Sequence, residues 1–220
     1  MRKVAVGLIF VAPLALVALQ EYWPFVRAHV WGIGPAGGAT PPASRPERPW
    51  ATAGSAPGVG NFFQVTDKLY RGAQPTAEGM RALEAMGIRT VVSLRRFHDN
   101  ADEAAGTQLA CYQINVNPFR PNEAQLIHFL VIATNPARTP VFVHCERGID
   151  RTGMMCAIYR MVACGWTKRE AIDEMRHGPF GYDKVFENVP AFLWDLDVDG
   201  LKRKVQAASQ ADAGPSNERE

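Results

Sequence analysis

A histidine and a cysteine stand together at His144 and Cys145, and an arginine, a threonine and a glycine follow at Arg151, Thr152 and Gly153. Between them lie Glu146, Arg147, Gly148, Ile149 and Asp150. Each of these types has a use in anion chemistry. A cysteine thiolate is a strong nucleophile where positive potential lowers its pKa. An arginine fork can clamp two oxygens of a phosphate. Gly148 permits a backbone turn that a residue with a Cβ resists. Thr152 can cap a helix and donate its hydroxyl toward the sulfur, and Asp150 beside Arg151 can carry a proton.

These residues need a strand, a tight loop and a helix to hold them. Val141-Phe142-Val143 is a short β-type apolar run, and Met154 to Val162 is an apolar stretch at helical length. The loop from Cys145 to Arg151 then wraps the helix N-terminus. The backbone N–H groups there have no helical partners, and the helix dipole adds positive potential. Glu146, Arg147, Gly148, Ile149, Asp150, Arg151 and Thr152 are accordingly the candidate phosphate-binding residues. Cys145, Arg151 and Asp150 are the candidate catalytic ones.

Cys-x5-Arg-Thr after a His-ended strand resembles the phosphate loop of the protein tyrosine phosphatase superfamily. With Tyr70-Arg71-Gly72-Ala73-Gln74-Pro75 upstream, the chain is similar to the compact dual-specificity-like phosphatases over roughly residues 61–200. The resemblance implies two-step phosphoryl transfer through a cysteinyl phosphate. Loop amides and Arg151 hold the oxygens, with no metal and no cofactor. His144 packs behind the loop and orients Cys145, or is simply a satisfied core histidine. The family's general acid is an Asp on a separate upstream loop. Here that loop reads Asn115-Val116-Asn117-Pro118-Phe119-Arg120-Pro121 and has no carboxylate, a departure from the family pattern at the acid position; the nearest carboxylate is Glu123, in a predicted helical turn. The Asp-Arg-Thr ending resembles myotubularin-like and Sac-like lipid phosphatases, in which a loop Asp is implicated. That makes Asp150 the candidate acid, with Asp99 as a further possibility. Arg147, Arg71, Arg95, Arg96 and Arg120 can build a positive rim, which suits a polyanion; the alternative for each is a solvated surface charge, preferred for Arg120, and for Arg71 in the family-like run a packing role. The substrate class stays open between phosphoprotein and phosphoinositide or inositol phosphate. Two other readings stand beside this one. The chain is a catalytically idle phosphate-binding module, or a Cys-loop enzyme of sulfur or arsenate chemistry.

The remaining sequence fits 220 residues arranged as one domain with extensions. A formal net charge of +2 points to no nucleic-acid partner. Cys111, Cys145, Cys156 and Cys164 lack metal-site or disulfide spacing. Cys156, Cys164 and Cys111 read as core residues, Cys111 with a resolving thiol as its alternative role. Arg2-Lys3 precedes an apolar run from Val4 to Leu19, then Tyr22, Trp23 and Phe25. Residues 1–31 thus read as a membrane anchor or signal, an uncleaved anchor being preferred, since no good cleavage site follows. The domain is then expected outside the cytoplasm (periplasmic in a bacterium), with secretion as the alternative. Residues 32–60, in which 13 of 29 are Gly or Pro, read as a flexible linker.

Residues 61–206 read as the phosphatase domain and 207–220 as a disordered tail. Strands are expected at Phe62–Val65, Leu69–Arg71, Ile88–Leu94 and Tyr112–Val116. Helices are expected after Thr76 and Asn122, over Asp102–Leu109, after the Thr167-Lys168-Arg169-Glu170 capping box, and around Val185 to Leu196. Strands alternating with helices predict an α/β fold, a mostly parallel central sheet flanked by helices on both faces.

Overall fold

A computed structural model of the chain describes residues 48–212. Six strands form one sheet in the order β1-β2-β3-β6-β4-β5. They are β1 (Thr52–Ala53), β2 (Phe63–Gln64), β3 (Leu69–Gly72), β4 (Thr90–Ser93), β5 (Ala110–Gln113) and β6 (Val141–His144). The β3–β6, β6–β4 and β4–β5 pairs are parallel, and β1 and β2 add an antiparallel edge. The helices are α1 (Ala77–Ala85), α2 (Glu123–Thr134), α3 (Asp150–Ala163), α4 (Lys168–His177), α5 (Asn188–Asp195) and α6 (Val198–Asp212). A 3-10 turn spans Lys184–Phe186.

The period-two alternation of β6 explains the two layers. Val141 and Val143 join the large core, which holds Leu126, Phe129 and Leu130 of α2, Met154 and Ile158 of α3, and Leu201 of α6. Phe142 faces the other way, onto a smaller core with Met80 and Leu83 of α1. Every side chain of β6 is buried, each apolar one contributing about 1.5–3 kcal/mol by leaving water. The expected helix-flanked, mostly parallel sheet is therefore present.

The capping signals hold. Thr76 accepts from the Gly79 N–H, and Asn122 with Gln125 and Thr167 with Glu170 form complete capping boxes. Three expectations need correction. Residues 102–106 form turns and 107–109 an irregular stretch, not a helix; a few isolated bonds such as Ala104 N–H to Asn100 O and Ala105 N–H to Asp102 O close there without propagating. Within the expected linker, residues 48–60 are part of the folded body. Ala51, Ala56 and Val59 are buried, and the Ala51 N–H donates to Glu174 Oε1 at 2.7 Å. Glu174 also receives a bidentate bond from Arg160, so this small-residue segment closes a buried polar group. Finally, α6 runs to Asp212, beyond the expected domain end at 206, with Leu201 and Val205 buried. The anchor or signal at 1–31, the linker to 47 and the tail from 213 lie outside the described residues. Among the described residues no helix is long and apolar enough to cross a membrane.

Candidate active site

Strand β6 ends at His144, between the C-terminal ends of β3 and β4. The chain then turns through Cys145–Ile149 into α3. Gly148 has φ +71° at the centre of the turn. Neighbouring backbone also requires a glycine there, because a Cβ would lie 2.3 Å from Gly72 C and O.

The carbonyl groups of this loop explain its chemistry. Cys145 O faces His144 Nδ1 at 3.0 Å. Glu146 O accepts from the Gln74 N–H at 3.1 Å. Arg147 O accepts from Asn61 Nδ2 at 3.1 Å. Gly148 O and Ile149 O both accept from Arg71 Nη2, at 2.8 and 3.3 Å. Five successive carbonyls are thus held by donors from the body of the protein. A trans peptide points its N–H away from its C=O, so the amides following these carbonyls face the other side, as an anion cradle requires. The helix start adds to this, since Ile149 caps α3 without a side-chain bond.

The Tyr70–Pro75 run therefore acts as the brace of the loop. Arg71 is buried, with its guanidinium 3.9 Å from the Phe180 ring centre. It is not part of an exposed rim but takes the alternative packing role. Asn61, at φ +51°, also ties the loop to Phe180 O at 3.1 Å. Sequence reading missed Asn61. An Asn just after a Gly-rich stretch is a signal for the left-handed conformation, but not for its partners.

Cys145 is buried at the floor of a cavity of about 210 Å³ lined by Pro118, Glu146, Arg147, Asp150, Arg151 and Phe186. Burial pushes its thiol pKa up. The Thr152 hydroxyl, the Arg151 charge and the N–H groups of Thr152 and Ile149 outweigh that and hold it below the ordinary thiol value. Thr152 Oγ1 is buried without a hydrogen-bond partner, so its hydroxyl is free to stabilise the Cys145 thiolate. The other three cysteines are shifted upward, by burial first; Cys156, on the same helix, is pushed to about 11. Cys145 is thus the thiol set apart as a nucleophile. Cys111 lies on β5, beyond β4 from β6, and its thiol points to Leu109 O, so it is not placed as a resolving thiol. Arg151 donates Nη1 to Leu94 O at 3.2 Å, at the cavity edge.

Asp150 lines the same cavity and is 6 % exposed. Burial raises its carboxyl above the usual range, against the Asp183 N–H and Arg147, which favour the anion. Asp150 Oδ1 accepts from that N–H at 3.1 Å, and Oδ2 lies 3.2 Å from Arg147 Nη2. Arg147 also reaches Asp183 Oδ2 at 3.5 Å. Asp183 gave no sequence signal, because its loop lies more than thirty residues downstream of Asp150 in the chain. The other candidate acids sit elsewhere. Asp99 lines a separate hollow with His98 and Glu103, and Glu123 pairs with Lys204. The upstream loop contributes Pro118 to the cavity wall. Phe119 packs on Phe186 with ring centres 5.0 Å apart, and Asn188 Nδ2 donates to Pro118 O at 2.7 Å. Of the other expected rim arginines, Arg96 lies over Phe97 and Arg95 reaches Gln74 Oε1. No group of three or more potential metal-ligating side chains is found among the described residues.

Known proteins resemble the chain in this same region. The model of a family described as DSP-PTPase phosphatase fused to NAD+ kinase matches residues 61–185. The dual specificity protein phosphatase TpbA of Pseudomonas aeruginosa is 32% identical over 143 residues, which is 64% of this chain and 65% of that protein. An inositol diphosphatase of Saccharomyces cerevisiae is 28% identical over 152 residues, covering 65% of this chain and 53% of the relative. The chain thus spans just under two thirds of the first of these relatives and about half of the second. A crystal structure of the Pseudomonas protein in complex with pTyr superimposes with a TM-score of 0.63 at 30% identity, over 71% of this chain and 96% of that one.

Proposed function

The chain belongs to the DSP-PTPase phosphatase family of the protein tyrosine phosphatase superfamily, and from that premise we propose that it hydrolyses phosphate monoesters through a cysteinyl phosphate on Cys145. The observation that carries the proposal is the lowered Cys145 thiol, set in a loop whose carbonyls are all held from behind. The thiolate attacks phosphorus as the bond to the leaving oxygen breaks. Loop N–H groups and Arg151 bind the equatorial oxygens. Asp150 gives its proton to the leaving oxygen. Water then attacks the cysteinyl phosphate, passes a proton to Asp150 and frees the thiolate.

The preferred substrate is a single phosphate on an aromatic or protein-borne group. Pro118 and Phe186 wall the cavity. Arg147 is occupied by Asp150 and Asp183, which reduces the positive charge available to a second phosphate. The solved relative bound to pTyr supports the same class. The inositol diphosphatase relative keeps inositol diphosphates as the competing substrate.

The deciding experiment compares kcat/KM on a phosphotyrosyl peptide, a phosphoseryl peptide, a phosphoinositide and an inositol diphosphate. Phosphopeptides should lead. A clear lead for the inositol diphosphate would reverse the substrate class. No turnover of any of them, with phosphate still bound, would identify an idle binding module. Residues 1–31 are proposed to anchor the domain outside the cytoplasm; recovery of the full chain in the cytosolic fraction would refute this.

A further inference from the structure

Behind the loop lies a hydrogen-bonded line of side chains that the reaction does not itself use. Arg95 Nη1 lies 3.5 Å from Gln74 Oε1. Gln74 Nε2 lies 2.8 Å from Asn100 Oδ1. Asn100 Nδ2 lies 2.9 Å from His144 Nε2, and His144 Nδ1 lies 3.0 Å from Cys145 O. Both ends fix the direction of this line. An arginine only donates, and a carbonyl only accepts. Every link between them therefore has one allowed sense: Arg95 to Gln74, Gln74 to Asn100, Asn100 to His144, His144 to Cys145 O.

We propose that Asn100, set by Gln74, is a positioning residue that selects the Nδ1–H tautomer of His144 and so orients the first peptide of the phosphate loop. Nδ1–H donates to Cys145 O and holds it back. The Glu146 N–H, on the opposite side of that trans peptide, is then directed toward the anion. Asn100 is fully buried at φ +69°. Glycine would take that backbone more easily, and the side chain that stands there instead has both ends hydrogen bonded. Burial first, then the charges of His98, Arg95 and Arg151, hold His144 near pKa 4, against the bond to Cys145 O. The ring is therefore neutral at working pH, and a neutral imidazole has a tautomer to choose. No sequence pattern joins Gln74, Asn100 and His144, since they come from three separate segments.

The inference rests on the phosphatase reading of the site, but its test does not need turnover. Long-range nitrogen–proton spectra of the 15N-labelled full chain report both ring nitrogens of His144. Across the neutral range Nδ1 should be protonated and Nε2 bare. Asn100→Gly keeps the left-handed backbone and removes the amide. It should blur the single-tautomer signature and slow iodoacetamide alkylation of Cys145 near neutral pH about tenfold, the worth of one hydrogen bond. Asn100→Asp replaces the donor by an acceptor. It should draw a proton onto Nε2, so that both nitrogens are protonated at neutral pH. A wild-type Nε2–H tautomer, or an unchanged His144 spectrum in a folded Asn100→Asp variant, would overturn the proposal. A chain that turns over no phosphate ester yet shows the expected spectrum would refute the enzyme reading alone.

Discussion

Gly148→Ala adds one methyl group at the tightest point of the loop. Its Cβ would lie 2.3 Å from Gly72 C and O and 2.6 Å from Ala73 N, where ordinary contact begins at 3.4 Å. These are backbone atoms of a held strand: Gly72 pairs with His144 across the parallel ladder, and the Ala73 N–H donates to Gly60 O at 2.8 Å. The loop therefore has to move by about 1 Å, and a displacement of that size costs about 10²-fold in rate. The left-handed conformation adds about 1–2 kcal/mol of destabilisation for a residue with a Cβ. The assay is kcat/KM on p-nitrophenyl phosphate, with vanadate inhibition reporting the cradle and thermal melting reporting the fold. Gly87→Ala is the control, because Gly87 has φ +82° but open space around it. That variant should lose similar backbone stability and keep its activity. A Gly148→Ala protein with activity within about threefold of wild type, well short of that 10²-fold loss, would refute the placement of this loop.

Three further outcomes follow from the same geometry. Asp150→Asn should slow phosphoserine or alkyl phosphates by about 10²–10⁴-fold and p-nitrophenyl phosphate much less; equal losses would make Asp150 only a latch between Arg147 and Asp183. Thr152→Val removes the hydroxyl aimed at the sulfur, so the pH profile of Cys145 alkylation should move upward; an unmoved profile would remove Thr152 from the account. His144 binds a proton readily when unfolded, near 6.5, but only near 4 when folded. Between those values the unfolded state holds more protons, so stability falls as pH falls, by on the order of 3 kcal/mol in all. Urea titrations across that window should show it, and a flat profile would contradict a buried neutral His144.

Much of this site was legible in the sequence because strand, loop and helix are contiguous there. An apolar β run ending in His-Cys, then Gly, Arg and Thr, has few alternative folds. Helix starts at Thr76, Asn122 and Thr167 were legible for the same reason: a cap is a local hydrogen bond. What was hidden depends on distant partners. Residues 48–60 read as linker by composition, yet Ala51, Ala56 and Val59 are small enough to pack where Glu174 and Phe62 receive them. Arg71 read as a rim charge or a packing residue, and nothing local signalled that its partners are carbonyls far along the chain. The helix expected around Val185 to Leu196 begins only at Asn188, and a 3-10 turn at Lys184–Phe186 leaves Val185 69 % exposed. Asp183, Phe186 and Asn100 reach the site only through tertiary packing.

The central claim is a covalent phosphate on Cys145. Rapid acid quenching of the full chain during turnover of an aryl phosphate, followed by peptide mass mapping, tests it directly. One phosphoryl group should appear on the peptide carrying Cys145. It should be absent from Cys145→Ser, which should bind vanadate but not turn over. Turnover that persists in Cys145→Ser, or an adduct carried by another residue, would contradict the account.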